Sequence, residues 1–405
     1  MIFNRVSVKG SDCFRMLIPL CICLTVFPNM VCGETKPRAR DLGIPFEGSP
    51  GPLNAITDVP GVEVGHTTLI AEKGTSKTDR GPVRSGVTAV FPLGKASYNG
   101  VAAASFVLNG AGELTGSHFV DEFGVLFGPI AITNTLGLGL VRDAIIEWYR
   151  ETVPDQMLLL SRSLPMVAET WDGELNDIYG FHIKKAHVFS ALDNAKGGPV
   201  AEGNVGGGTG MTAYQFKAGI GTSSRAVGTE TGHFTVGVLV QANYGWRHQL
   251  MIAGVPVGKE ITDMMPSEGE KTKHDGSIVV VVATDAPLLP FQLKRVAKRA
   301  SMGLARNGSI ANDTSGDIII AFSTANTVSP DFSKPGIGSF SFISHEAIDH
   351  VFSATIEATE EAIINALIGA ESMTGMNGMT FHAIPHERLR EVLKKYNRLS
   401  EKTKN

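Results

Sequence analysis

The pair Gly276-Ser277 stands where two unlike stretches meet. On its N-terminal side, residues 262–276 are polar, charged and without periodicity, carrying Asp263, Ser267, Glu268, Glu270, Lys271, Lys273 and Asp275; on its C-terminal side the chain turns abruptly into Ile-Val-Val-Val-Val-Ala. A serine hydroxyl at the head of such a strand can attack the carbonyl before it, form an ester, and release a new α-amine beside the oxygen that made it. That amine titrates near ~8, so at neutral pH a useful fraction is free base and can take the hydroxyl's proton. Glycine in front leaves the carbonyl open to attack and accepts unusual backbone angles. One residue then supplies both nucleophile and base. Residues 262–276 read either as the linker such a cut needs or as an ordinary surface loop. The dipeptide alone decides nothing, because Gly-Ser or Gly-Thr recurs at Gly48-Ser49, Gly116-Ser117, Gly208-Thr209, Gly221-Thr222, Gly308-Ser309 and Gly338-Ser339.

Other reaction classes lack their parts. Gly94-Lys95 and Gly258-Lys259 are followed by Ala96 and Glu260, without the Ser or Thr hydroxyl of a P-loop. No Gly-x-Ser-x-Gly elbow and no His-Glu-x-x-His occurs, and the histidine pairs five apart, His182 with His187 and His345 with His350, are spaced off a common helical face. Neither a metal nor an organic cofactor is expected. The glycine series at 203–210 reads as a turn where backbones approach closely, or as an amide cradle for an oxyanion.

The elements that must position Ser277 show in the apolar patterning. Strands are expected at 61–65, 87–91, 102–108, 129–133, 234–241, 278–284 and 318–322, where apolar runs are bounded by turn residues. Helical periodicity appears at 139–152, through Leu140, Ile145 and Trp148, and at 289–305, through Leu293, Val296, Ala297 and Ala300. The clearest helix is 346–369, with Ser344 as its expected cap, a stripe of Ile348, Val351, Phe352, Ile363, Ala366 and Leu367, and Gly369 to end it. Strands and helices alternating in clusters argue for layered α/β sheets covered by helices. With 405 residues, 43% hydrophobic and 19% charged, the chain can bury a large core, and no Pro/Ser-rich linker divides its middle. A net charge of −4 and no basic tract give no reason to expect a nucleic-acid partner.

The N-terminus has the layout of a secretory signal peptide. Arg5, Lys9 and Arg15 precede an apolar run at 16–27 and then Gly33. The run falls short of the ~20 residues that span a bilayer, so no stable membrane anchor is expected once 1–33 is removed. Val31 and Gly33 suit cleavage after Gly33; Cys32 raises lipidation as a second reading, which Asn29-Met30-Val31 fits poorly. All four cysteines, Cys13, Cys21, Cys23 and Cys32, lie in this leader, so the mature chain 34–405 would have no disulfide and no thiolate nucleophile. An exported, periplasmic or secreted protein is the expectation.

Six motifs together resemble the L-aminopeptidase D-esterase/D-amidase family, which includes the β-peptidyl aminopeptidases. They are Ile-Thr-Asp-Val-Pro-Gly-Val at 56–62 with Val-Gly-His at 64–66, Ala-Glu-Thr-Trp-Asp-Gly-Glu-Leu-Asn-Asp at 168–177, Gly-Gly-Gly-Thr-Gly-Met at 206–211, Val-Gln-Ala-Asn-Tyr-Gly at 240–245, Gly-Ser-Ile-Val at 276–279 and Ser-Gly-Asp-Ile at 315–318. The resemblance implies an αββα four-layer sandwich of the ornithine acetyltransferase-like type. It also implies self-cleavage between Gly276 and Ser277 into an α chain 34–276 and a β chain 277–405, and a homotetramer of such αβ units. Carried over by motif, Ser277 is the nucleophile and its freed amine the base. Ser315 and Asp317, two apart on an extended segment and so on one side of it, would hold that amine. Some members have Glu where this chain has Asp317. Asn243 would donate to the oxyanion, and Glu169 would pair with the substrate's α-ammonium. Trp171 stands where relatives are expected to present a tyrosine, keeping a wall of the site without the hydroxyl.

The activity implied is removal of an N-terminal residue from short peptides, amides or esters, D- or β-amino acids included, through an acyl-enzyme on Ser277. Two alternatives remain: acyl transfer of the ornithine acetyltransferase type, and an exported binding protein that kept the fold without activity.

Overall fold

The computed structural model describes residues 36–74, 80–153, 164–230, 232–266, 276–330 and 336–400. The expected leader and residues 267–275 of the polar stretch lie outside them.

From Pro37 onward the chain forms one compact unit. Its strands in chain order are β1 (Glu63–Ala71), β2 (Val83–Phe91), β3 (Gly100–Gly110), β4 (Val125–Leu126), β5 (Ile130–Asn134), β6 (Met166–Thr170), β7 (Thr212–Ala213), β8 (Phe216–Lys217), β9 (Ile220–Thr229), β10 (Gly232–Tyr244), β11 (Gly276–Thr284) and β12 (Gly316–Val328). They make a four-stranded sheet, β1-β2-β5-β6, a six-stranded sheet, β4-β3-β12-β11-β10-β9, and the small hairpin β7-β8.

Three apolar clusters fill the three spaces of a four-layer sandwich. Val87, Ala89, Phe91, Ala131 and Val167 turn outward from the smaller sheet onto the helices Leu138–Thr152 and Lys185–Asp193. Val90, Ile130, Ile132, Met166 and Ala168 turn inward onto Val279, Val281, Ile320 and Phe322 of the larger sheet. Ile278, Val280, Val282, Ile319 and Ala321 face the helices Pro290–Arg306 and Ile348–Ile368 on its far side. Successive strand residues point to opposite faces, so β11 must be apolar at every position to satisfy both neighbours. The expected αββα architecture is what the chain adopts.

All seven expected strands and three helices exist, with differences in detail. The long helix begins at Ile348 with Ala347 as N-cap and no side-chain cap, and the Ser344 carbonyl accepts from the Ala347 N–H at 3.3 Å. Leu140 is exposed, because the buried face of its helix runs through Leu138, Val141, Ile145 and Trp148. The segment after Lys36 is laced into the core by ion pairs. Arg38 meets Glu202 at 2.7 Å, Arg40 meets Glu361 at 2.8 Å, and Arg225 on β9 reaches the same Glu361 at 2.8 Å, the last two residues being 1% and 0% exposed. Among the described residues no helix is long and apolar enough to cross a membrane.

Candidate active site

Strand register builds the site. β10 runs antiparallel to β11 with Asn243 opposite Ser277, and β12 runs parallel to β11 with Gly316 beside Ser277, so three motifs remote in sequence meet in one row. Ser277 shares the inward face of β11 with Val279 and Val281. It is 7% exposed, and its Oγ accepts from the Gly316 N–H at 3.1 Å. Gly276 has φ +76°, and a Cβ there would lie 1.9 Å from the Asn243 carbonyl oxygen. No other residue can occupy that position without moving the strand that carries Asn243.

Ser315 and Asp317 do lie together: the Ser315 hydroxyl donates to Asp317 Oδ1 at 2.6 Å. Asp317 pairs with Ile278, so its side chain leaves the sheet on the face opposite Ser277 Oγ. What the two share is the start of β11. Oδ2 of Asp317 is buried and makes no hydrogen bond among the described residues. Burial pushes this carboxyl up to about 6, against the pull of the Ser315 hydroxyl and the nearby Ile278 N–H.

The Asn243 amide is fixed at both ends. Its Oδ1 accepts from the Thr212 N–H at 2.9 Å, and its Nδ2 donates to the Trp171 carbonyl at 2.8 Å, which leaves one amide hydrogen for another acceptor. Trp171 therefore contributes its backbone here, while its ring stands edge-on to Tyr179 at 6.3 Å.

Glu169 is the next-to-last residue of β6, on the sheet facing β11, and it is 5% exposed. The Glu113 N–H donates to its Oε1 at 3.0 Å, and the Thr135 hydroxyl donates to Oε2. Burial raises its pKa, with those two donors opposing. Gly112 separates it from the nucleophile's sheet: a Cβ there would stand 3.4 Å from Glu169 Oε1 and 3.3 Å from Gly316 Cα. The structure thus brings Gly276, Ser277, Asn243, Ser315, Asp317, Glu169 and Trp171 into one region.

Sequence reasoning missed the supports. Asp172 is fully buried and accepts from Ser85 at 2.7 Å and Asn176 at 3.0 Å; Ser85 accepts from Asn134, whose Oδ1 takes the Gly137 N–H and caps the turn holding Thr135. Burial pushes Asp172 up to about 7. No spacing rule joins residues 85, 134 and 172, so only the fold could reveal them. The glycine series packs by close backbone approach, a Cβ on Gly207 falling 2.6 Å from the Ile132 oxygen and one on Gly208 2.4 Å from the Ile220 nitrogen. Among the described residues no group of three or more His, Cys, Asp or Glu could hold a metal ion.

The sequence profile of Peptidase family S58 matches residues 54–381. The chain belongs to that family. Within S58 it is 50% identical over 387 residues to beta-peptidyl aminopeptidase BapA of Sphingosinicella xenopeptidilytica, covering 93% of this chain and 96% of that protein. The homologous BapA of Sphingosinicella microcystinivorans is 48% identical over 393 residues, covering 92% and 98%. Among solved structures, the L-aminopeptidase D-Ala-esterase/amidase of Ochrobactrum anthropi, described as a prototype serine aminopeptidase with a variant of the Ntn hydrolase fold, superposes with TM-score 0.84 at 46% identity, covering 90% of this chain and 100% of that one. A Burkholderia beta-aminopeptidase gives TM-score 0.81 at 45% identity, covering 89% and 99%. This S58 chain is a serine aminopeptidase of the N-terminal-nucleophile class, a hydrolase of peptide bonds. Acyl transfer and an inactive scaffold are not favoured.

Proposed function

We propose that the chain cuts itself between Gly276 and Ser277, giving fragments 34–276 and 277–405, and that the freed Ser277 then removes N-terminal residues from short peptides, amino-acid amides and esters. The observation that carries this reading is the buried, unbonded Oδ2 of Asp317 at the start of β11. A lone buried carboxylate oxygen is costly, and cutting before Ser277 creates an ammonium on the strand residue next to Ile278, with which Asp317 pairs. In the first reaction Ser277 Oγ attacks the Gly276 carbonyl, the C–N bond breaks to leave an ester and a free amine, and water hydrolyses the ester.

In turnover the Ser277 amine takes the Oγ proton as Oγ adds to the substrate carbonyl. The remaining amide hydrogen of Asn243 serves the oxyanion, and the proton passes to the leaving amine. Water then repeats the sequence on the acyl-ester. Glu169, buried across the inter-sheet space, is suited to a substrate's free ammonium, which restricts the enzyme to unblocked N-termini. The β-peptidyl relatives support acceptance of β-amino acids. Assembly as a homotetramer of αβ units follows the resemblance, and export to the periplasm or medium follows the leader at 1–33.

The test is a denaturing gel with Edman sequencing of the smaller band. The wild type should yield a fragment beginning at Ser277 and hydrolyse alanine p-nitroanilide; Ser277→Ala should remain one chain and be inactive. An active preparation that stays uncut would refute the mechanism.

A further inference from the structure

Lys217 is fully buried on β8, directly opposite Thr212 in the β7-β8 hairpin. Its ammonium donates to the carbonyl of Met211 at 2.8 Å and to that of Ala218 at 2.5 Å, with Gly208 at 3.5 Å. The Met211 carbonyl and the Thr212 N–H are the two ends of one peptide group. That N–H donates at 2.9 Å to Oδ1 of Asn243. A buried cation is therefore joined to the candidate oxyanion donor by two hydrogen bonds in series, through a single peptide.

Each bond in such a chain polarises the next. Electron density drawn toward Lys217 at the Met211 oxygen makes the Thr212 N–H more positive. That N–H in turn draws on the Asn243 carbonyl, which makes the Nδ2 hydrogens better donors, by about 10–30% per bond. The low-dielectric interior keeps the effect from being screened.

We propose that Lys217 is a positioning residue that charges the oxyanion hole, acting on substrate only through the Met211-Thr212 peptide and Asn243. This rests on the role given to Asn243 under the proposed function. The effect belongs to the transition state, where the oxyanion exists, and so appears in kcat and not in KM.

The experiment is a double-mutant cycle on full-length protein with alanine p-nitroanilide, rates being taken per processed chain as counted from the 277–405 fragment. Lys217→Met should lower kcat about tenfold with KM changed by less than about twofold, a fraction of the roughly 100-fold that loss of an oxyanion donor costs. Lys217→Gln, which can still donate to the carbonyls but carries no charge, should lose nearly as much, and Lys217→Arg should restore most of the rate. In an Asn243→Ala background the Lys217 substitutions should change kcat no further. Equal factors in both backgrounds would overturn the relay, as would Lys217→Gln working as well as Lys217→Arg; that second comparison stands even if Lys217→Met fails to fold. An Asn243→Ala variant with wild-type kcat would instead sink the oxyanion assignment itself.

Discussion

The charge on Asp317 should change sign in its effect on stability when the chain is cut. In the uncut protein burial pushes this carboxyl from 3.8 up to about 6. The folded chain then holds its proton more tightly than the unfolded chain does. Stability is accordingly full below the ordinary carboxylate value and falls as pH rises toward the folded value. At ~1.4 kcal/mol per pKa unit the loss amounts to ~3 kcal/mol by neutral pH. The perturbation is Asp317→Asn, made in a Ser277→Ala chain that stays uncut, so that everything else titrating in the protein cancels. Urea unfolding at about pH 4 and about pH 7.5 reads the result. Moving to the higher pH should cost the Asp317 form roughly 2.4 kcal/mol more than the Asn form, the rest of the loss being already present at about pH 4. Once the chain is cut as proposed, a Ser277 ammonium beside the carboxylate should favour its charged form, and the same substitution should become more damaging as pH rises. A pH swing of the same sign in both forms, or none in the uncut chain, would refute the reasoning.

Glu169→Gln removes the charge assigned to the substrate's ammonium, and kcat/KM for alanine p-nitroanilide should fall by about 10-fold to 100-fold, the scale of one charged hydrogen bond; a change below about twofold would remove Glu169 from the site. Glu361→Gln should cost about 3–5 kcal/mol in urea unfolding, because Arg225, 1% exposed, loses its 2.8 Å partner and keeps only Glu357 at 3.5 Å. Lys395→Ala, which breaks the surface pair with Glu260, should cost less than about 1 kcal/mol in the same assay.

The sequence carried the central strands because their requirement is local. β11 and β12 are apolar on both faces, and that shows as an uninterrupted run. It did not carry β9, whose residues Thr222, Ser223, Ser224 and Arg225 are buried on both faces yet polar, each matched by distant partners such as the Ala358 carbonyl and Asp58. Read alone they look like surface. β6 escaped for a different reason: it is a five-residue strand, Met166–Thr170, too short for a period to emerge. Within the site, the Ser315 to Asp317 spacing was legible because a short stretch of chain fixes it, and the Ser315 hydroxyl lies 2.6 Å from Asp317 Oδ1. The approach of Asn243 to Ser277 depends on the register of two strands separated by an intervening loop, which only the family motifs signalled. Nothing in the sequence surroundings of Thr135, Asp172 and Lys217 marks them: Thr135 meets Glu169, Asp172 meets Ser85, and Lys217 meets backbone carbonyls.

The bond before Ser277 lies at the head of a strand gripped on both sides, by β10 and by β12, in the interior of a sheet. The two fragments would stay zipped after severing, yet the route by which they were assembled would be gone. A single chain finds its own strands at an effective concentration set by its loops; two pieces shaken apart must meet as separate solutes. Maturation would then act as a ratchet, with heating curves that do not retrace on cooling and a recovery yield that depends on dilution. The uncut Ser277→Ala chain should show neither.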